Sequence, residues 1–279
     1  MDGKALVRAG SCALAAGLLL AAAGFPARAA GEERRIELSY EVHIAGLYAM
    51  KADAQVDISG DRFLAEAKVA KTGIISALSK LYRAVHVSRG RLVDGKVMPG
   101  DSVMQINSGD EARGVRASYM PDGTLNVAEN PPFEPKPGRE VEKAQRAGAW
   151  DPLMAGIAAV LGRSDPCTAP LPIFDGRMRF DLDLRRLGSE KLETDGFSLR
   201  GEAQVCEVRL RKVAGYKPDT DPEEDYNNPA RLWLGAIDDT GRLYPVRVEI
   251  DSDYGKVVGR LRKAESRPLS ESERAALSR

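Results

Sequence analysis

The two histidines set the first limit on the chemistry that this chain could perform. His43 and His86 both lie in stretches where apolar and polar residues alternate, at polar positions, so we expect both imidazoles to face solvent. Neither belongs to a cluster of Cys or carboxylate side chains with the spacing of a zinc site. The sequence therefore predicts no metal centre and no cofactor.

One serine lies in a segment that resembles a catalytic motif. Gly100-Asp101-Ser102 resembles the start of the Gly-Asp-Ser motif of esterases. A nucleophilic serine of that kind needs a histidine base, usually from a C-terminal Asp-x-x-His, and no histidine follows His86. The chain also has no G-x-S-x-G, no Walker loop and no G-x-G-x-x-G. We interpret the segment as a turn between strands and predict that the protein is not an enzyme, with a hydrolase as the least favoured alternative.

An acidic segment offers the densest set of hard oxygen ligands. Residues 219–225 read DTDPEED, and carboxylates at this density could hold Ca²⁺. The segment lacks the Gly and the terminal Glu of an EF-hand loop, and Pro222 interrupts it. We interpret it as a solvated loop, and calcium binding stays open at this point.

The first 29 residues have the layout of a secretory signal peptide. Lys4 and Arg8 precede an uncharged run of 17 residues from Ala9 to Phe25, and Ala27 and Ala29 are the small residues that signal peptidase reads. This run is shorter than the ~20 apolar residues that a spanning helix needs. We therefore expect export to the periplasm, cleavage after Ala29 and no integral membrane segment in the mature protein.

Export determines how the cysteines are interpreted. Cys12 leaves with the signal peptide, and Cys167 and Cys206 remain. Two thiols in an oxidising compartment favour one disulfide between them. A redox or nucleophilic thiol is the alternative, although the chain has no C-x-x-C and neither cysteine has a histidine near it in sequence.

Charge and composition exclude further classes. The chain has 41 basic and 41 acidic residues, whereas a nucleic-acid-binding protein normally has a basic excess. Hydrophobic residues make up 43% of the 279 residues, which is typical of a folded globular protein. We expect no nucleic-acid partner.

Period-two alternation dominates the chain that follows the signal. Apolar residues recur at every second position in several runs, and turn signals such as Ser59-Gly60-Asp61 and Asp94-Gly95-Lys96 separate them. We predict a mainly β fold, in which a curved antiparallel sheet forms an open or spiral β-barrel. The runs include residues 36–44, 52–58, 63–69, 178–184, 197–213 and 246–250.

Two segments have helical spacing instead, and each has a single apolar stripe. The first stripe consists of Ile74, Ile75, Leu78, Leu81 and Tyr82. The second consists of Leu153, Met154, Ile157, Val160 and Leu161. Asp151 can cap the second helix, Pro152 fits its first turn and Gly162 can end it. We predict two short amphipathic helices that plug the open sides of the sheet.

A proline-rich loop at residues 130–140 separates two groups of strands. We predict one domain over residues 30–265, because neither group alone has enough strands to close around a helix; a two-domain arrangement would divide here. Residues 266–279 form a polar tail, in which Ser270 and Glu273 have the spacing of a capping box.

From residue 36 onward the chain resembles the domain of unknown function 3108 (DUF3108) family of exported proteobacterial proteins. The resemblance implies a periplasmic β-rich fold with no assigned catalysis, and it supplies no catalytic residue. It rests on the early strand pair, the helix at Gly73–Leu81, the segment Gly95–Pro99, the helix start Asp151-Pro152-Leu153, the pair Pro166-Cys167, the segment Phe174–Arg177, and Cys206.

We therefore predict a non-enzymatic periplasmic envelope protein. It would bind a lipid or another apolar ligand, or a segment of an envelope protein, in a concave groove of the sheet. The alternative is a structural or interaction module of the cell envelope with a filled core. The residues predicted to contact the ligand are Phe63, Ile75, Leu78, Tyr82, Met154 and Ile157, and ordinary core packing is the alternative for each.

Overall fold

In a computed structural model, residues 32–73, 82–162, 165–168, 170–192, 201–217 and 228–277 are described. Within them, thirteen strands form one antiparallel sheet that is nearly closed into a barrel, which confirms the predicted fold class. The strands of the first half are β1 (Glu33–Ile44), β2 (Leu47–Ser59), β3 (Arg62–Lys71), β4 (Tyr82–Val93), β5 (Lys96–Ser108), β6 (Glu111–Tyr119) and β7 (Leu125–Asn130). Those of the second half are β8 (Leu171–Phe174), β9 (Arg179–Leu192), β10 (Gly201–Ala214), β11 (Ala230–Gly235), β12 (Tyr244–Ser252) and β13 (Gly255–Pro268).

The sheet is built from hairpins. Its spatial order runs from β7 back to β1, then to β13, and from β13 back to β8, so the pairing of β1 with β13 joins the two halves. Asp94 and Gly95 connect β4 to β5 with φ values of 50° and 72°, the left-handed backbone of a two-residue hairpin turn. Gly60, from the other predicted turn, has a φ of 61° between β2 and β3.

Helix α1 (Pro152–Leu161) supplies much of the core. The side chain of Asp151 caps it, Pro152 occupies its first position and Gly162 ends it, as predicted. One side of α1, including Met154 and Leu161, belongs to the main apolar core, whose other members come from β1–β5 and β10–β13. Its opposite side packs against β8 and β9. A single helix with apolar contacts on both sides thus fills the space that the curved sheet encloses.

The other predicted helix falls on residues 74–81, which lie outside the described residues. Tyr82, the last member of its apolar stripe, is instead the first residue of strand β4. The signal peptide and the acidic segment 219–225 also lie outside the described ranges.

The two ends of the sheet, β7 and β8, meet through side chains and a short connecting segment. Glu129 on β7 accepts hydrogen bonds from Arg177, which follows β8, at 2.9 and 3.2 Å. The segment before α1 spans the gap, since Ala147 bridges to Thr124 and Trp150 bridges to Ile173. These contacts cover part of the hydrogen-bonding edges that an open sheet would expose.

A disulfide joins Cys167 and Cys206, as predicted, with a Cα–Cα distance of 5.7 Å. Both cysteines are buried beside Leu234. The bond attaches the segment after α1 to strand β10. Gln204 on the same strand reinforces the attachment with a hydrogen bond of 2.9 Å to Asp165.

The polar tail ends in helix α2 (Glu271–Leu277). Its predicted capping box is present, because the Ser270 amide donates to Glu273 at 2.7 Å and the Glu273 amide donates to the Ser270 hydroxyl at 3.3 Å. Glu273 also pairs with Arg35 at 2.6 Å and with Arg267 at 2.7 Å, which ties the tail to strands β1 and β13. Among the described residues, we find no helix with the length and apolar character that crossing a membrane requires.

Removal of the disulfide tests the attachment of residues 165–168. The bond closes a loop of 39 residues in sequence, and a loop of this size is worth about 4 kcal/mol in the chain-entropy account. We expect Cys206→Ala to lower the free energy of unfolding in urea by roughly that amount. The double variant Cys167→Ala/Cys206→Ala should be no less stable than either single variant. A loss in the double variant of twice the single loss would contradict a shared bond.

Candidate functional site

The inner face of strands β4 and β5 carries a cluster of buried polar side chains. His86, Ser88 and Ser102 are 8%, 0% and 2% exposed. The Nε2 atom of His86 lies 2.6 Å from the hydroxyl of Ser102, and Ser88 donates to that hydroxyl at 3.2 Å. Ser88 and Ser102 are directly paired across the two strands, which brings the three side chains together.

Asp151 is the centre of this cluster. Its Oδ1 atom accepts from the amides of Leu153 and Met154 at 3.1 and 3.0 Å, which is the capping interaction of α1. The same oxygen lies 3.1 Å from His86 Nε2, and Ser88 donates to it at 3.4 Å. Its Oδ2 atom accepts a hydrogen bond of 2.7 Å from the hydroxyl of Tyr119 on β6. One carboxylate thus joins the helix to strands β4 and β6.

The environment of Asp151 favours its charged form. Burial alone would raise the pKa of the carboxyl group, but the hydrogen bond and electrostatic attraction from His86, with the donors of Met154 and Tyr119, outweigh it and lower the pKa. Burial and the Asp151 charge raise the pKa of the Tyr119 phenol well above its ordinary value. The phenol therefore stays protonated and keeps donating to the carboxylate.

The prediction that His86 faces solvent was wrong. In strand β4 the apolar residues Val85 and Val87 lie on the half-buried outer face, whereas Ala84, His86 and Ser88 point inward. Alternation separates the two faces of a strand but does not state which face meets the core. One feature of the sequence could have indicated the inward position of His86. Asp151 is predicted to cap a helix, and a capping carboxylate that is buried requires polar neighbours.

The cluster has a serine beside a histidine, but its geometry differs from that of a catalytic triad. In a triad the serine and the carboxylate bind opposite ring nitrogens, so that the histidine can relay a proton. Here Ser102 and Asp151 both contact Nε2 of His86. The cavity beside them measures about 10 Å³, room for about one water molecule. Among the described residues, no group of three or more His, Cys, Asp or Glu side chains could hold a metal ion.

The structure separates the predicted ligand-binding residues. Phe63, Met154 and Ile157 lie together in the main apolar core, 2%, 0% and 6% exposed. Phe63 fits there because Gly90 has no side chain: a Cβ at Gly90 would lie 2.5 Å from the Phe63 ring. Ile75 and Leu78 lie outside the described residues. Tyr82 lies apart from the other three, in a groove at the rim of the barrel.

Two open grooves lie at opposite ends of the wall formed by β4–β7, with the polar cluster between them. The first, here the Trp150 groove, has a volume of about 440 Å³. It is lined by Met98, Pro99, Tyr119, Met120, Pro121, Gly123, Gly148, Ala149 and Trp150. The second, here the Arg113 groove, has a volume of about 510 Å³. It is lined by Tyr82, Ile106, Ser108, Glu111, Ala112, Arg113, Pro131 and Arg177.

Sequence reasoning missed both grooves. Among the predicted residues that the structure describes, Tyr82 is the one that lines either of them. Met98, Met120 and Trp150 are separated in sequence and converge only when the turn between β6 and β7 meets the segment before α1. The exposure of Met98 and Met120, 53% and 45%, is a signal that only the folded chain provides.

Comparison with known proteins identifies a family, and one of the solved structures that match is described here. The family described as "Protein of unknown function (DUF3108)" matches residues 39–262. No curated protein matches the chain. A solved structure of the hypothetical protein CT021 from Chlamydia trachomatis is similar, with 9% identity and a TM-score of 0.29, over 86% of this chain and 91% of that one.

Asp151→Asn tests whether the charge at the centre of the cluster stabilises the fold. A carboxyl group with a lowered folded-state pKa adds stability above its unfolded pKa of about 3.9, and this stability disappears as the pH falls through the lower folded value. We expect the variant to be about 2 kcal/mol less stable than the wild type at pH 7. The difference should narrow as the pH falls below about 4.

The measurement is urea unfolding of both proteins between neutral and acidic pH. Asp101→Asn is the matched control, because Asp101 is exposed and next in sequence to Ser102. Its stability should follow that of the wild type at every pH. A difference between the wild type and Asp151→Asn that stays constant into acid would contradict a role for the charge.

Proposed function

The chain belongs to the family described as "Protein of unknown function (DUF3108)", and from this premise we propose that it is a non-catalytic, exported protein of the cell envelope that binds an apolar ligand in the Trp150 groove. The groove lies at the end of the barrel where β5 begins and β6 ends. The observation that carries the proposal is the group of apolar side chains left open there, in a molecule whose interior is occupied by its own helix.

The residues of the Trp150 groove are suited to an apolar guest. Met98 and Met120 project at its edges, and methionine adapts its unbranched, polarisable side chain to irregular partners. Tyr119 and Trp150 supply two aromatic rings whose centroids are 6.2 Å apart. A volume of about 440 Å³ lies within the range of roughly 300–1,000 Å³ that is common for small-molecule sites.

Because α1 fills the interior of the barrel, we place the proposed ligand site at the rim. Met154, Ile157 and Leu161 of α1 contact the inner face of the sheet, so a ligand among Phe63, Met154 and Ile157 would have to displace the helix. A filled core is also what an interaction module of the envelope would have. In that second candidate function, the Trp150 groove would receive an apolar segment of a protein instead of a lipid.

The envelope location rests on the sequence. The positive start, the apolar run and the small residues before Ala30 support export through a cleavable signal. The Cys167–Cys206 bond supports it independently, because disulfides persist in oxidising compartments and are rare in the cytosol.

A neutral fluorescent probe, N-phenyl-1-naphthylamine, tests the groove in the purified mature protein. We expect saturable binding by the wild type, and about ten-fold weaker binding by Met98→Lys, because the change places a charge where the apolar probe must lie. Met178→Lys is the control, since Met178 is also exposed but lies outside the groove. Equal affinity in all three proteins, or no binding by the wild type, would contradict the proposal.

Reactivity of Ser102 distinguishes a binding protein from a hydrolase. The 2.6 Å contact with His86 is the observation that favours a hydrolase. Because the pair is buried and the carboxylate contacts the wrong ring nitrogen, we expect a fluorophosphonate to leave the protein unmodified, as measured by intact mass. A stoichiometric adduct that disappears in Ser102→Ala would overturn the non-catalytic assignment.

A further inference from the structure

We propose that the Arg113 groove is a second binding site, which takes a single-chain carboxylate such as a medium-chain fatty acid. The site is distinct from the Trp150 groove and lies at the opposite rim, where β4 and β6 begin and β5 ends. Its lining combines the Arg113 guanidinium group, whose Nε atom lacks a hydrogen-bond partner among the described residues, with apolar surface from Tyr82, Ile106 and Pro131.

Two guanidinium groups that line this groove share one carboxylate beside it, that of Glu129. Glu129 is 4% exposed at its side chain, and its two oxygens accept hydrogen bonds of 2.9 to 3.3 Å from Arg177. Arg113 lies farther away, with its terminal nitrogen 3.7 Å from Glu129. The carboxylate is therefore already engaged by Arg177, and Arg113 contributes a positive charge that Glu129 does not fully neutralise.

Arg113 has unused donors. Its Nε atom is buried and, among the described residues, has no hydrogen-bond partner. A buried donor without a partner is destabilising, so a ligand that supplies an acceptor is favoured at this position. Arg177, by contrast, stacks on Phe133 at 4.2 Å while it binds Glu129. A carboxylate that enters the groove would meet the terminal nitrogens of Arg113, and guanidinium groups bind carboxylates through paired hydrogen bonds.

The remaining charged group of the lining is Glu111. It is exposed at the turn between β5 and β6, so solvent and salt screen its repulsion of an anion. The net charge at the inner end of the groove is therefore positive, because the two positive charges of Arg113 and Arg177 exceed the single negative charge of Glu129.

The groove also limits the length of the guest. Two residues farther along each strand, Met104 and Val115 line a separate cavity of only about 10 Å³ beside the polar cluster. An open volume of about 510 Å³ accommodates one alkyl chain of moderate length. The chain would lie along Ile106 and Pro131 with its head at Arg113.

The experiment is calorimetric titration of the mature protein with decanoate and, separately, with decanol as the neutral arm. We expect saturable decanoate binding by the wild type that weakens as salt is added. Arg113→Gln should bind decanoate at least ten-fold more weakly. Decanol should bind more weakly than decanoate and should not respond to the change at Arg113. Lack of decanoate binding by the wild type would overturn the proposal.

Arg116→Gln is the matched control. Arg116 is exposed on the outer face of the same strand, whereas Arg113 lies on the face that carries Val115 and Ala117. An equal loss of affinity in Arg113→Gln and Arg116→Gln would show a general charge effect and would overturn the site.

A second variant covers the case in which Arg113→Gln does not fold. Ile106→Trp fills the groove from the position that pairs with Arg113 across β5 and β6, and it leaves the guanidinium in place. It should also abolish decanoate binding, and full retention of affinity would refute the site. Met98→Lys should bind decanoate like the wild type, so failure of the Trp150 groove and failure of this site are distinguishable.

Discussion

The carboxylate of Asp151 is the interaction on which the arrangement of the barrel depends. It accepts two amides of α1, contacts His86 on β4 and accepts the hydroxyl of Tyr119 on β6. A helix inside a sheet needs its first amides satisfied, because water does not reach them there. By using one side chain for the cap and for two strands, the chain fixes where α1 begins relative to the sheet wall.

Fixing the start of α1 also determines how the sheet closes. The residues just before Asp151 bridge both sheet ends, with Ala147 paired to Thr124 beside β7 and Trp150 paired to Ile173 on β8. Farther along, Cys167 attaches the chain after α1 to β10. The helix is thus held at both ends, by hydrogen bonds before it and by a covalent bond after it. Thirteen strands with uncovered edges would instead be open to pairing with other chains.

Much of this architecture could be predicted from local patterns in the sequence. Strand alternation, the Asp94-Gly95 turn, the cap of α1 and the cysteine pair each depend on residues close in sequence or few in number. The inward orientation of His86 could not be predicted in this way. A strand that has valines on one face and Ala, His and Ser on the other normally buries the valines. The two grooves were also beyond local reasoning. They arise where turns that are distant in sequence meet at the rims of the barrel.

The polar cluster around Asp151 also separates the two grooves, so that the proposed sites would be independent and not one tunnel. An apolar chain that ran along the wall from Ile106 to Met98 would have to pass His86, Ser102 and Asp151. It would break hydrogen bonds that satisfy a buried carboxylate and would offer no polar group in return. Leaving buried polar groups without partners costs several kcal/mol, as an order of magnitude. The gain from burying another few CH₂ groups, about 0.8 kcal/mol each, would be largely cancelled by that penalty. The proposed ligands would therefore end at each rim, and the different linings of the two rims suit different ligands.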